Sequence, residues 1–169
     1  VIAQGHGAGG HTGKIDGMCL IPQIVSGVSI PVVAAGGIFD GRGLVASLSF
    51  GAVGAWIGTR FLASKEVWIA DAYKQRVLDV KEGDETIVTR CQTSKTCRMI
   101  KNSFTDEYHE ESEKIKTIVP ESIDEVIQMY DDLHKKGLAS FNTERFPMLA
   151  GQCSGSVNEI LSCEDIISS

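Results

Sequence analysis

Residues Ile30 to Phe61 read IPVVAAGGIFDGRGLVASLSFGAVGAWIGTRF, and the order of apolar runs and glycines within them decides the fold. Pro31-Val32-Val33-Ala34-Ala35 is a nearly unbroken apolar run. That is the pattern of a strand buried on both faces of a parallel sheet, and Gly36-Gly37 ends it. Asp40 stands where it can cap a helix over about Gly41 to Phe50, which carries Leu44, Val45 and Leu48 on one stripe and stops at Gly51. A second buried run, Val53 to Ile57, gives way to Gly58-Thr59-Arg60. The unit is therefore β-α-β, with a glycine turn at the C-terminal end of each strand. Such turns bare backbone N–H groups near a helix start, and two of them on consecutive parallel strands make a phosphate cradle.

Upstream, Val1 to Gln4 reads as another strand, running into the glycine-rich segment Gly5 to Gly13. Gly5, Gly7 and Gly10 match the G-x-G-x-x-G dinucleotide fingerprint. A Rossmann turn opens straight into a helix, whereas Gly9, Gly13 and Gly17 would each cost about 1 kcal/mol in one, and no acidic residue stands near the expected ribose position. The segment reads instead as a loop whose flexible backbone can approach a flat ligand closely, with His11 at its far edge. Met18 to Val25 follows as a short helix. Three β/α units with phosphate turns after the last two strands fit the C-terminal part of a (β/α)8 TIM barrel. There the phosphate site commonly lies in the loops after the seventh and eighth strands, and catalytic groups stand at the strands' C-terminal ends.

Beyond Phe61 glycine thins out and charge rises. Val67 to Val80 has helical spacing of its apolar residues, and Thr86 to Thr89 reads as a short strand. Cys91 to Ile100 is ambiguous between strand and loop, and Asp106 to Glu113 is a solvated helix with His109 exposed on it. The clearest helix is Ile123 to Lys136. Ser122 and Glu125 form a capping box after Pro120, the apolar face is Ile123, Val126, Ile127, Tyr130 and Leu133, and Lys135-Lys136-Gly137 stops it. Leu149-Ala150-Gly151-Gln152 then precedes an amphipathic stretch, Val157 to Ile167.

The whole reads as α/β and as one domain over residues 1–169: the last three β/α units of a barrel, followed by a helical region. A complete barrel takes about 250 residues. A chain of 169 that opens inside the apolar run Val1-Ile2-Ala3 reads as the C-terminal part of something longer. With 43% hydrophobic residues it has enough apolar content for a core. A net charge of −6 with dispersed Lys and Arg argues against a nucleic-acid surface. Five cysteines without a CxxC pair suit reduced thiols in a cytoplasmic protein, and no apolar run approaches the ~20 residues of a membrane span. Two open sheet edges would favour association, so a homo-oligomer is open.

Three segments, AQGHGAGGHTG (Ala3–Gly13), AAGGIFDGRG (Ala34–Gly43) and GAVGAWIGTRFLAS (Gly51–Ser64), resemble the flavin-binding half of the nitronate monooxygenase family, formerly called 2-nitropropane dioxygenases. The similarity is strong over Val1 to Ser64 and returns at Ala150-Gly151-Gln152. FMN-dependent enoyl-acyl carrier protein reductases carry nearly the same motifs. The resemblance implies FMN as cofactor. Gln4, Gly9, Gly37, Trp56, Ile57, Gly58 and Thr59 match positions that hold it, and Gly10 and Gly36 lie in the same turns. Arg60 is left aside as a residue that could face a barrel partner. His11 matches the His of the family's AGGH motif, assigned there as the base for neutral nitroalkanes. An imidazole with an ordinary pKa near ~6.5 suits that task. His6 is the weaker candidate, and a metal on His6 and His11 has no third ligand nearby, so no metal site is assigned.

One position departs from the pattern. The family commonly has Glu three residues after the Gln, and here that place is Gly7, which bears on how the loop and His11 are held. The resemblance implies a small-molecule substrate: oxidation of alkyl nitronates or nitroalkanes with O2, or reduction of an enoyl thioester with NAD(P)H. A flavin-binding protein without turnover is the third reading.

Overall fold

The computed structural model describes residues 1–169. Its first part runs β1 (Ile2–Gln4), β2 (Gly10–His11), α1 (Gly17–Gly27), β3 (Val33–Ala35), α2 (Gly41–Ser49), β4 (Gly54–Trp56) and α3 (Thr59–Leu62). The second part runs α4 (Asp71–Asp79), β5 (Thr86–Thr89), β6 (Cys97–Ile100), α5 (Ser103–Ile115), α6 (Pro120–Lys136) and α7 (Cys163–Ser168). No helix is long and apolar enough to cross a membrane.

Strands β1, β3 and β4 form one parallel sheet in the order β1-β3-β4, with Ala3, Ala34 and Ala55 in register. Burial is greatest in the central strand, where Ala34 and Ala35 are 0% and 3% exposed, whereas Trp56 at the end of β4 is 64% exposed. The run read as buried on both faces is the central strand β3, and β1 and β4 are the two open edges.

Asp40 caps α2 as expected, its carboxylate accepting from the Arg42 and Gly43 N–H groups at 3.0 and 3.2 Å. The stripe of Leu44, Val45 and Leu48 faces outward. Small residues make the inner contact instead: Ser47 is buried, and a Cβ at Gly43 would stand 3.0 Å from Ile38. Side chains four residues apart share a helix face, so Gly43 and Ser47 let α2 lie close to the turn after β3.

The region after α3, expected to be helical apart from a short strand at Thr86–Thr89, keeps that strand as β5 and builds a sheet on it. β5 and β6 pair antiparallel, and β6 also takes β2 on its other edge, giving a second sheet in the order β2-β6-β5. The loop segment Gly10–His11 is thus a two-residue strand, too short for any periodicity to reveal. Against β6 pack Phe104 of α5 together with Cys91, and a larger cluster joins Tyr73 and Val77 of α4 to Ile100, Phe146 and Met148.

Three helix assignments shift. α4 begins at Asp71 rather than Val67, and the Val67 N–H donates to the Ser64 hydroxyl in the loop before it. α6 begins at Pro120, and the capping box does not form. Pro at the first helical position needs no donor and has its φ already set. Ser122 is fully buried and bonds the Cys91 and Val119 carbonyls, while Glu125 accepts a bidentate pair from Arg145 at 2.6 Å. Val157 to Ile167 is not one amphipathic element: a 3-10 turn covers Gln152–Ser156, and only Cys163–Ser168 is helical, capped by Ser162. His109 is half-buried rather than exposed, with its Nδ1 shut off from solvent and without a partner.

Because Phe104 is fully buried between β6 and α5, Phe104→Ala should cost about 3–5 kcal/mol in urea denaturation. Ile127→Ala, on the exposed face of α6, should stay within about 0.5 kcal/mol.

Candidate active site

The C-terminal ends of the three parallel strands open onto one hollow of about 270 Å³. β1 contributes Gln4 and the loop after it Gly9 and Gly10; β3 ends in Gly36 and Gly37; β4 ends in Trp56, followed by Gly58 and Thr59. Of the residues expected to hold a cofactor, only Ile57 is absent from this lining. Its side chain points the other way along the alternating strand, into an apolar cleft with Phe39, Phe61 and Ile167.

Backbone geometry makes the glycines necessary. Gly36 and Gly37 have φ of +91° and +79°, which L side chains rarely adopt, and a Cβ on Gly36 would sit 2.8 Å from the Gly5 carbonyl. A Cβ on Gly37 or Gly58 would meet nothing within 4 Å and would occupy the hollow itself. The N–H groups of Gly37, Ile38 and Thr59 donate to no backbone carbonyl. Gly9 is tight for another reason: its Cβ would stand 2.5 Å from the Ala150 carbonyl carbon. The loop presses on Ala150-Gly151-Gln152, where Gln152 N–H donates to Gly7 O at 3.0 Å and Gly151 N–H donates to Thr59 Oγ1 at 2.9 Å.

His11 does not line this hollow. It lies beside it, in an open polar one of about 460 Å³ with Thr12, Arg90, Lys95 and Thr96, and Gln4 borders both. The Gln4 amide donates to His11 O, and His11 Nε2 lies 3.1 Å from Thr93 Oγ1. His6 is occupied, its Nδ1–H donating to Gly13 O at 2.7 Å, which fits a loop-holding role. Arg60 turns away from the hollow and donates to Glu159 O.

A family model described as Nitronate monooxygenase matches residues 1–169. The chain belongs to the nitronate monooxygenase family. A probable nitronate monooxygenase of Staphylococcus saprophyticus is 46% identical over 126 residues, 68% of this chain and 35% of the relative. Another, from Staphylococcus haemolyticus, is 49% identical over 117 residues, 63% of this chain and 32% of the relative. Two solved structures at 29% identity share the α/β fold across 99% of the chain: FabK from Thermotoga maritima, with a TM-score of 0.85, and a nitroalkane oxidase from Streptomyces ansochromogenes, at 0.81. The chain spans 51% and 49% of those two and about a third of the curated relatives.

The hollow suits the flavin phosphate and ring of such a family: free N–H groups at two turns, no charged side chain in its lining, and space that any added Cβ at Gly37 or Gly58 would fill. Sequence reasoning missed several residues around it. Cys153 and Leu149 close its far side from a hundred residues away, and Arg98 reaches the His6 carbonyl with Nε and Nη2 at 3.2 and 3.1 Å. Only the return of similarity at Ala150-Gly151-Gln152 hinted at the first two, and nothing marked Arg98.

The two kinds of glycine are separable. Gly9→Ala should destabilise the fold by about 1–3 kcal/mol through overpacking. Gly58→Ala, at φ −107° with open space before it, should stay within about 0.5 kcal/mol, as read from denaturant midpoints.

Proposed function

We propose that this chain is the cofactor-holding and base-bearing part of an FMN-dependent nitronate monooxygenase, one domain whose parallel strands are the last three of a (β/α)8 barrel. The observation that carries this reading is the convergence of two positive-φ or bare glycine turns and a glycine loop on one hollow, with His11 tied to its rim through Gln4. FMN, when bound, supplies the redox chemistry with O2. The backbone at Gly36, Gly37, Gly58 and Thr59 holds its phosphate, Gly9 and Gly10 allow its ring to lie close, and Trp56 flanks it. Ile57 contributes at most main chain.

His11 takes the proton from the carbon bearing the nitro group, turning a neutral nitroalkane into its nitronate. It stands at the C-terminal side of the sheet, where barrel enzymes carry their reacting groups. Five unpaired cysteines favour a cytoplasmic setting. Enoyl thioester reduction is the second reading, favoured by the likeness to FabK at a TM-score of 0.85. Rapid anaerobic bleaching of the flavin by NADH or NADPH, with no response to nitronate, selects that reading. A colourless protein that FMN cannot reconstitute selects a role without turnover.

His11→Ala should leave the flavin-to-protein ratio nearly unchanged and lower turnover of the neutral nitroalkane by ~10²–10⁴-fold, with much less loss on preformed nitronate. Gly37→Val should do the reverse and strip the flavin, since a branched side chain would fill the cradle at a positive-φ site. Equal turnover of nitroalkane by His11→Ala and parent enzyme would place the base elsewhere.

A further inference from the structure

The His11 ring has one hydrogen-bonding partner, and that partner's own bonds determine which ring nitrogen is free. Thr93 Oγ1 lies 3.1 Å from His11 Nε2. The same hydroxyl donates to the Lys95 carbonyl at 3.1 Å and accepts from the Lys95 N–H at 3.3 Å. Its remaining neighbour is the Cys97 sulfur at 3.6 Å, a long and weak contact. A threonine hydroxyl has one proton and two lone pairs. Lys95 O and His11 Nε2 stand equally close to the hydroxyl that carries this one proton, but a carbonyl can only accept whereas a ring nitrogen can donate. All groups are satisfied when the proton goes to Lys95 O, the Lys95 N–H takes one lone pair and the imidazole faces the second. Nε2 must then be the donor.

From this we infer that Thr93 is the positioning residue for His11: it holds the neutral ring as the Nε2–H tautomer and leaves Nδ1 as the nitrogen that takes the substrate's proton. The inference rests on the reading of His11 as the base. Which nitrogen of a histidine is free is set by the bond the other one makes, and here that bond comes from a side chain anchored in a tight turn rather than from a carboxylate. The backbone of His11 is already fixed by pairing with Cys97 of β6 and by the Gln4 amide on its carbonyl. What Thr93 adds is the orientation of the ring.

In the proton transfer, the C–H bond next to the nitro group breaks, its electron pair stays on the substrate as nitronate, and the proton goes to Nδ1. The resulting imidazolium keeps its Nε2–H on Thr93, so the clamp need not move during the step. Arg90 and Lys95 line the same open hollow, and Arg90 is paired with Glu113 at 2.7 Å, so neither supplies an acceptor for His11.

The test is nitrogen-15 NMR of the histidine rings in the intact, flavin-loaded protein at a pH where His11 is neutral, with His11→Ala identifying its signals. Parent and Thr93→Ser should show a protonated Nε2 and a bare Nδ1, and Thr93→Val should show a mixture of tautomers. In the same variants, kcat for neutral nitroalkane should fall on the order of tenfold in Thr93→Val, the scale of one hydrogen bond to a charged group, and recover in Thr93→Ser. KM and the rate on preformed nitronate should change little. A parent ring protonated on Nδ1 overturns the inference without any variant, as does a Thr93→Val protein with the parent tautomer and kcat. Failure of His11 as the base shows separately, as undiminished nitroalkane turnover in His11→Ala.

Discussion

Everything near the hollow depends on two stretches of backbone touching without side chains between them. The loop after β1 and the segment Ala150-Gly151-Gln152 approach so closely that a Cβ on Gly9 would stand 2.5 Å from Ala150 and one on Gly151 would stand 2.7 Å from Gly7 O. Glycine is the residue that permits such an approach. Across this seam Gln152 N–H bonds Gly7 O, and Gly151 N–H bonds the Thr59 hydroxyl. One contact thereby ties the first strand, the turn after the third parallel strand and the C-terminal region to one another. The parallel sheet sets the direction of its strand ends, and the seam sets the distance between the loops that leave them.

The absence of a carboxylate at Gly7 acquires a physical meaning in this setting. A side chain there would begin 3.3 Å from Gln152 Oε1, the end of a flexible side chain that would have to give by a few tenths of an ångström. The loop is held instead by a buried guanidinium. Arg98 is 3% exposed, has no acidic partner, and spends its donors on the His6 carbonyl and the Thr86 hydroxyl. Burial lowers its pKa from the ordinary value, yet arginine starts so high that it keeps its charge. A charge buried against neutral acceptors is costly to desolvate and cannot easily move, since any shift would leave it without its bonds. The loop's position therefore rests on Arg98 and Gln152 rather than on an ion pair at position 7.

The β-α-β unit was legible because its signals are local. Apolar runs, a capping aspartate and glycine stops lie within a few residues of one another, and the strands fall within two residues of where those signals put them. Of the second sheet only β5, read as a strand at Thr86–Thr89, was legible. Gly10 and His11 pair with Arg98 and Cys97, some 88 residues away, and a two-residue strand has no periodicity. The capping box at Ser122 and Glu125 failed for a related reason: both side chains have better partners supplied by tertiary structure, Cys91 O and Arg145. The outward stripe on α2 is the opposite case, where a correct helix was given the wrong inner face because glycine and serine carry no hydrophobic signal. At the hollow, the residues expected to hold a cofactor come together, apart from Ile57, which the alternation of β4 turns away, while His11 lies in the neighbouring hollow.

One side chain borders both sheets' hollows. The parallel sheet carries the glycine turns, the antiparallel one carries His11, and each has its own core cluster: Ala3, Ala34 and Ile38 belong to the first, Cys97, Met99 and Phe104 to the second. Gln4 ends β1, borders both hollows, and donates its amide to His11 O. Supports built on separate cores can shift relative to one another unless something spans them, and here Gln4, Arg98 and the seam beneath them do so. A group bound against the glycine turns would thus sit at a distance from the imidazole fixed by Gln4. The ring's rotation about that point is governed by Thr93. Position and orientation of the His11 ring are in this way assigned to different residues on different elements, as a group held by rigid strands rather than by its own loop requires.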